Sequence, residues 1–392
     1  LSKAVRKRLQ KMGMKRKLPV VFSTERAVLF VDDAEGELIR KPLMLQNVLF
    51  CPVLTWLSTA LREQGVERFF VCCPASYQEE ALACFSSAEQ VTVSDNRADL
   101  LAFLEGEEET LVVPGAAVPV DSAGQNEVYR VSGSVLAHSL ETGAEEVEGA
   151  RSVPGFTSIT TFKGLNSMQF LARAQILREL LAGGVCVMDP NNTYVDPRVR
   201  VGAGTMLLPG TILRGGTVIG TDCQIGPNSM LTDCTVGDGV RINASQCEES
   251  VVETGCEIGP YAHLRPHCTV GAQSKIGAFV QLKNCCLGRE TKMAHLTYVG
   301  DADVGEGCNF GCGTVTCNYD GREKHRTTIG NHVFVGCNTN LVAPVSVGDG
   351  AYTAAGSTIT RDVPAGDLGV ARTRQNNLAG WADKRRKAGR LK

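Results

Sequence analysis

Arg265 and Lys283 each follow an aliphatic residue, Leu264 and Leu282, and stand eighteen positions apart. In a chain that winds with that period the two cations stack on one edge, about 5 Å apart, and repel each other more strongly the less water reaches them. An anion between them relieves the repulsion, and phosphate is a natural candidate. The plain alternative is two basic side chains leaning apart into solvent, and spacing alone leaves both open. The segment His295-Leu296-Thr297-Tyr298 leads straight to Val299, the aliphatic position of the next turn, so His295 and Tyr298 project near the same edge. Asn309 precedes Phe310, which stacks over Met293, so Asn309 lies one turn above. A long excursion, Cys317 to Thr328, leaves from that edge with Asn318, Tyr319, Asp320, Arg322, Lys324, His325 and Arg326. A histidine titrating near neutrality in this company suits a general base. A lone histidine on such a surface is usually inert, and residue types alone leave that reading open too.

The element that must position these residues is a repeat. Aliphatic residues recur every six positions: Val201, Leu207, Leu213, Ile219, Ile225 and Leu231, then Val252, Ile258, Leu264, Val270, Ile276 and Leu282. A last run reads Ile329, Val335, Leu341, Val347, Thr353 and Ile359. Glycine often follows, as at Gly202, Gly220, Gly259, Gly277 and Gly336. A helix needs a spacing of 3.6 and a half-buried strand a spacing of two. Six fits a solenoid of three flat sides, with one aliphatic side chain per side pointing to the axis and small residues near the corners. The repeat is expected from Val201 to Val363. Five-residue steps interrupt it after Leu231, Leu282 and Val299, Ile242 to Val252 is irregular, and Thr316 to Ile329 leaves a looped excursion of the kind a solenoid corner tolerates.

The N-terminal part has another rhythm. Ala27–Val31, Glu67–Cys73 and Thr110–Val113 are predicted strands, and Val53–Gln64 a helix ended by Gly65. Their alternation predicts an α/β sheet. Residues 85–160 are acidic and poorly periodic. A helix capped by Asn166 or Ser167 is expected to run to Ala182, where Gly183 and Gly184 stop it.

Composition sets bounds. The chain has 392 residues, 43% hydrophobic and 21% charged, which suits two or three folded domains. No apolar run reaches membrane-spanning length. The net charge of -2 gives no general pull toward nucleic acid. Residues 1–17 are basic without an acid, and the end is basic through Lys384, Arg385, Arg386, Lys387, Arg390 and Lys392. Such termini can bind anionic surfaces, but no aromatic residues interleave with the charges, so solvated extensions are the favoured reading. The chain opens on Leu1, so its true start is expected to be cut or misread. The sixteen cysteines include no CxxC, and Val20–Phe22 is too short for a signal core, which predicts reduced thiols in a cytoplasmic protein. Cys308, Cys312 and Cys317 cluster, but the repeat explains them as small packable side chains, so no metal is expected there.

Tyr261-Ala-His-Leu-Arg-Pro266, His295-Leu-Thr-Tyr298 with Gly300-Asp301-Ala302, Cys317-Asn-Tyr-Asp-Gly321, Phe334-Val-Gly336 and Leu341-Val-Ala-Pro344 closely resemble one family. It is the bacterial bifunctional N-acetylglucosamine-1-phosphate uridyltransferase/glucosamine-1-phosphate N-acetyltransferase, matched from about Asp189 to Trp381. The resemblance implies that the solenoid is a left-handed parallel β-helix forming a homotrimer, with acetyltransferase sites between solenoids. His295 matches the catalytic base that takes a proton from the amine of glucosamine 1-phosphate as it attacks acetyl-CoA. Arg265, Lys283, Tyr298, Asn309 and the loop lysine Lys324 match sugar-phosphate contacts. Asn318, Tyr319, Cys312, Cys337, Ala355 and Arg372 match acetyl-CoA contacts, with Cys312 and Cys337 replacing the usual Ala and Ser.

The N-terminal half departs from that family. The strand at Ala27–Val31 is followed by Asp32-Asp-Ala-Glu-Gly-Glu-Leu-Ile-Arg40, where a glycine-rich phosphate loop with an early Arg is expected. Acids there disfavour phosphate. The Pro-Lys pair appears as Pro42-Leu43, and the Mg²⁺-binding Gly-Asp pair as Gly115-Ala116, which lacks the carboxylate. Gly164-Leu165-Asn166 keeps its motif. The expectation is a degenerate, nucleotidyltransferase-like (Rossmann-like) α/β domain over 18–164, between a basic extension at 1–17 and a linker helix at 165–188. The β-helix follows over 189–372, then a basic tail at 373–392. The expected function is acetylation of glucosamine 1-phosphate for UDP-N-acetylglucosamine and cell-wall precursor synthesis, with Mg²⁺ needed only if the first domain is active. The alternatives are a fully bifunctional enzyme and a non-catalytic trimeric scaffold. No nucleic-acid partner and no stable membrane insertion are expected.

Overall fold

The computed structural model describes residues 25–31, 41–86, 90–106, 108–120, 125–144 and 146–392. The basic extension 1–17 and the acid-bearing loop 32–40 lie outside the described residues. The chain divides into two units, Leu1–Ile176 and Leu177–Lys392.

Strands buried on both faces read as continuous apolar runs, and the first unit is built on three of them. Strands β1 (Glu25–Phe30), β2 (Val66–Cys72), β3 (Gln90–Ser94) and β4 (Glu109–Val113) form a parallel ladder in the order β3-β2-β1-β4. Strands β5 (Tyr129–Ser132) and β6 (Arg151–Ser152) extend it antiparallel beyond β4. Helix α1 (Val53–Glu63) is the predicted helix, with Gly65 in the left-handed region at φ 99° just after it. The poorly periodic stretch hides two short helices, α2 (Arg97–Phe103) and α3 (Gly133–Thr142). Each buries only one or two residues, Leu100 in α2 and Gly133 and Leu136 in α3, too few for a visible apolar stripe. Val28, Phe70, Leu100, Leu104, Val112, Val131 and Leu136 pack into one core.

Arg26 sits inside this unit, 1% exposed. Its Nε donates to Thr110 Oγ1 at 2.8 Å, and its guanidinium donates to the carbonyls of Phe103, Leu104 and Glu105 at 2.6, 3.1 and 3.1 Å. A cation thus closes the C-terminal end of α2, whose last carbonyls have no helical partner. Burial lowers its pKa, against the opposing pull of Glu108.

Helix α4 spans Phe162–Ala182 and starts earlier than the predicted cap at Asn166 or Ser167. Thr161 does the capping, its Oγ1 accepting from the N–H of Gly164 at 3.1 Å. The stop at Gly183 and Gly184 is as expected, with Gly184 at φ 85°. No helix among the described residues is long and apolar enough to cross a membrane.

The second unit is the solenoid, a left-handed parallel β-helix. One column of eleven strands runs from Cys186–Val187 to Leu368–Gly369, so the winding begins and ends outside the repeat expected at Val201–Val363. The other two sides share a second ladder of seventeen strands. Most strands are two residues long, one outward and one inward, because each side has room for a single axial side chain. Val187, Leu207, Ile225, Ile242, Ile258, Ile276, Met293, Phe310, Val335 and Thr353 form one buried axial column. The irregular stretch from Ile242 to Val252 is two five-residue steps, with Cys247 taking the axial place between Leu231 and Leu264. A cysteine there was invisible to a search for aliphatic residues.

Corners are sewn by buried hydroxyls. Thr205 Oγ1 donates to Gly220 O at 2.9 Å, and Thr291 Oγ1 to Gly305 O at 3.1 Å. Cysteines fill equivalent places: the thiols of Cys223 and Cys308 reach Gly237 O and Gly330 O, each at 3.1 Å. Burial pushes the thiols of Cys234 and Cys256 up to about 11. All sixteen cysteines are free. Beyond the solenoid, helix α5 (Trp381–Lys387) lies in the basic tail, fully outside any core.

Candidate active site

Register brings the cations together. Leu264 pairs with Leu282 and Leu282 with Val299, so Arg265, Lys283 and Gly300 succeed one another on one edge. The N–H of Arg265 donates to Leu282 O at 2.9 Å, which ties the two coils at that point. Cys317 is next in line, and the excursion leaves from it. Within the excursion Tyr319 bridges to Lys324, and the N–H of His325 donates to Asn318 O at 2.9 Å, which turns Lys324 back over the edge. Lys324 stands against Lys283. Their contact, then the charge of Lys324, then partial burial and the charge of Arg265, hold the Lys283 ammonium below the usual lysine range, with Asp301 opposing. Among the described residues, none of the three cations donates a side-chain hydrogen bond to a carboxylate.

Arg326 anchors the excursion. It pairs with Asp303, with Nε donating to Oδ2 at 2.7 Å, and its other nitrogens donate to Asn284 O and Ala302 O at 3.3 and 3.2 Å. His325 is bonded to Asp320 at 2.8 Å. Bonds from the N–H of Glu323, from His325 and from the N–H of Arg322 hold the Asp320 carboxyl well below the usual range.

Gly300 keeps the middle of the site open. A Cβ added there would stand 2.3 Å from the Tyr298 hydroxyl and 3.1 Å from Asn318 Nδ2. The Tyr298 hydroxyl and the Asn318 amide therefore lie over the edge that carries Lys283. Tyr298 itself pairs with Gln281 below and Val315 above.

His295 is on the adjoining side, around the corner made by Leu296 and Thr297. It ends the strand Lys292–His295, pairs with Ala278 below, and is exposed. Two residues beyond each axial residue of that column lies a corner position: His295 after Met293, Cys312 after Phe310, Cys337 after Val335 and Ala355 after Thr353. Backbone bonds confirm the stacking, from Gly313 N to Leu296 O at 2.8 Å and from Asn338 N to Cys312 O at 2.7 Å. Arg372 closes the line, its Cδ lying 3.8 Å from where a Cβ on Gly356 would be. His295 thus stands on the corner column one coil below Cys312, with Cys337 and Ala355 above it.

Not every residue gathers within one chain. Asn309 pairs with Lys292 and Phe334 and faces outward on the side opposite the corner from Lys283. Tyr319 is exposed, and its hydroxyl donates to Gly321 O at 2.8 Å. Two features were missed from the sequence: the Arg326–Asp303 anchor, and Asp301, which lies buried between Asn284 and Asn318.

In the first unit, Asn166 lines a cavity of about 240 Å³ with Lys41, Gln46, Asn47, Phe162 and Gln169. Lys41 is paired with Glu80. Ala116, where the resemblance asks for a magnesium carboxylate, is a buried methyl whose carbonyl accepts from the N–H of Ile159 at 2.7 Å. These residues do not fit a magnesium site.

The bacterial transferase hexapeptide (six repeats) family model matches residues 198–233, 249–284 and 326–361. The bifunctional protein GlmU of Caldanaerobacter subterraneus subsp. tengcongensis is 50% identical over 227 residues, 58% of this chain and 50% of the relative. That of Geobacillus sp. (strain WCH70) is 42% identical over 258 residues, 66% of this chain and 54% of the relative. The chain spans about half the length of the curated relatives it matches. Among solved structures, LpxA from Acinetobacter baumannii is 20% identical, covering 51% of this chain and 77% of that one, with a TM-score of 0.21.

Proposed function

From a chain related to the bifunctional GlmU proteins, we propose a glucosamine-1-phosphate N-acetyltransferase that works from the solenoid. The observation that carries this reading is the cluster of Arg265, Lys283 and Lys324, three cations facing one another without a carboxylate hydrogen bond. The buried Asp301 offsets only part of the repulsion among the three, and the phosphate of a sugar phosphate would offset more of it. Tyr298 and Asn309 would hold the sugar. Because Asn309 faces away from Lys283 in one chain, a homotrimer with sites between solenoids suits the set better than a single copy.

The corner column supports the other substrate. Acetyl-CoA would lie along Cys312, Cys337 and Ala355, with Asn318 and Tyr319 beside it and Arg372 at the far end. Small corner residues leave room for a thin arm, and His295 lies one coil below Cys312 on the same corner. The amine nitrogen attacks the thioester carbonyl, His295 takes the amine proton, and the carbon–sulfur bond breaks to release the CoA thiol. General-base catalysis of this kind contributes about 10²–10⁴-fold.

The first unit is proposed to have lost uridylyl transfer, because Ala116 offers no carboxylate for a metal beside a triphosphate. The product would then leave for another enzyme that joins it to a nucleotide. The test is CoA-thiol release from acetyl-CoA and glucosamine 1-phosphate, run beside an assay with UTP and the acetylated sugar phosphate. Expected are thiol release, its loss in His295→Ala, and no nucleotide sugar. Binding of both substrates without thiol release would end the acetyltransferase reading, and a nucleotide sugar from UTP would restore full bifunctionality.

A further inference from the structure

Asp301 is buried to 6% exposure in a left-handed backbone conformation, φ 49°, which a non-glycine residue seldom adopts. A buried carboxylate is costly unless its oxygens are bonded. Here each oxygen has its own donor. Asn284, one coil below, donates Nδ2–H to Oδ1 at 2.6 Å, and Asn318, one coil above, donates Nδ2–H to Oδ2. An ionised carboxylate can only accept, so it fixes which way both amides face. Asn318 is 9% exposed, and its backbone carbonyl is already engaged by His325. Its side-chain carbonyl oxygen is therefore turned away from Asp301, while its nitrogen lies at the edge over Gly300 that the Tyr298 hydroxyl also overhangs.

We propose that Asp301 is a positioning residue: it locks the Asn318 amide with its nitrogen inward and its carbonyl oxygen toward the acyl-CoA. This rests on the acetyltransferase reading, in which Asn318 touches that substrate. Burial works against the charge on Asp301, but the two asparagine bonds and the nearby Lys283 and Lys324 outweigh it and keep the carboxyl ionised below the usual range. The lock therefore stays set across neutral pH.

Two substitutions separate positioning from folding. Asp301→Asn keeps the shape but presents an N–H₂ to one neighbouring amide, which must turn over. Asp301→Gly suits the left-handed backbone and removes the clamp. Both are expected to lower kcat/KM for acetyl-CoA by about tenfold or more, the discrimination left when a buried polar partner is lost. KM for glucosamine 1-phosphate should hold or improve, because an acid leaves the neighbourhood of Lys283 and Lys324. Asn318→Ala should cause the same loss, with no further loss when Asp301→Asn is added. Asn284→Ala should retain activity with acetyl-CoA, which a merely structural ladder would not allow. Losses within twofold, or additive losses in the double variant, overturn the proposal. If the unaltered protein releases no CoA, the acetyltransferase reading falls by itself, and calorimetric binding of CoA decides the rest. Weaker binding in Asp301→Asn sustains the lock, and equal binding removes it.

Discussion

Gly277 offers the sharpest test of how the winding positions His295. It lies between Ile276, which pairs with Met293, and Ala278, which pairs with His295, so it passes directly under Ala294. It is not in the left-handed region, so a side chain is not barred by backbone strain. It is barred by space: a Cβ there would stand 1.9 Å from Ala294 O and 2.7 Å from its carbonyl carbon. Ordinary contact begins at 3.4 Å, so in Gly277→Ala the strand Lys292–His295 must lift by about 1.5 Å. Overpacking of this kind costs about 1–3 kcal/mol. In a unit of this size that lowers Tm by about 2–4 °C per kcal/mol. Misplacing a reacting group by about 1 Å costs about 10²-fold in rate. The expected result is a Tm lower by several degrees and a kcat lower by about two orders of magnitude, read by calorimetry and CoA-thiol release. Gly216→Ala is the control, because its nearest foreign atom is 3.7 Å away and it too avoids the left-handed region. An unchanged Tm would refute the packing argument. A lowered Tm with unchanged kcat would refute the claim that this strand sets the histidine.

Lys283 should bind a phosphate with proton uptake. Its folded pKa is lowered, chiefly by Lys324, so in the alkaline range below the ordinary lysine value it is partly neutral, and a bound dianion restores the proton. Binding heats should then depend on buffer ionisation in that range, and KM for the sugar phosphate should rise with pH. Lys324→Met should move both effects upward, and buffer-independent heats would contradict this. Arg326→Ala should loosen the excursion, so that trypsin cuts after Arg322 severalfold faster, since the pair with Asp303 and the bonds to Asn284 O and Ala302 O are lost. Equal cleavage would show that the loop holds itself. Arg26→Met leaves the carbonyls of Phe103, Leu104 and Glu105 at the end of α2 without their donor, that of Leu104 fully buried, and should cost about 3 kcal/mol. An early urea transition, with the solenoid's own transition unmoved, is the expected readout, and an unchanged curve would remove Arg26 from the account.

The six-residue rhythm was legible because it is local. Each side of a coil admits one axial side chain, so Leu264, Leu282 and Val299 announce themselves wherever they fall, and Arg265 over Lys283 follows by counting. What was hidden depended on groups distant in sequence. Cys247 holds an axial place only because Leu231 and Leu264 lie on either side of it. Arg26 looks like a surface residue of a strand until α2 brings its carbonyls up. Asn284, Asp301 and Asn318 are seventeen apart, not eighteen, because the five-residue sides after Leu282 and Val299 shorten those turns. A count at constant period steps past them.

The sequence by itself determined the winding and the edge on which the cations fall, since both follow from a side chain's position within its own turn. Only the tertiary structure decided that His295 stands one coil below Cys312 on the same corner, that Lys324 folds back on Lys283, and that Asp301 accepts from the amides of Asn284 and Asn318. Those are matters of direction and closeness between turns, and they are set by stacking and hydrogen bonds that no single stretch of the chain contains.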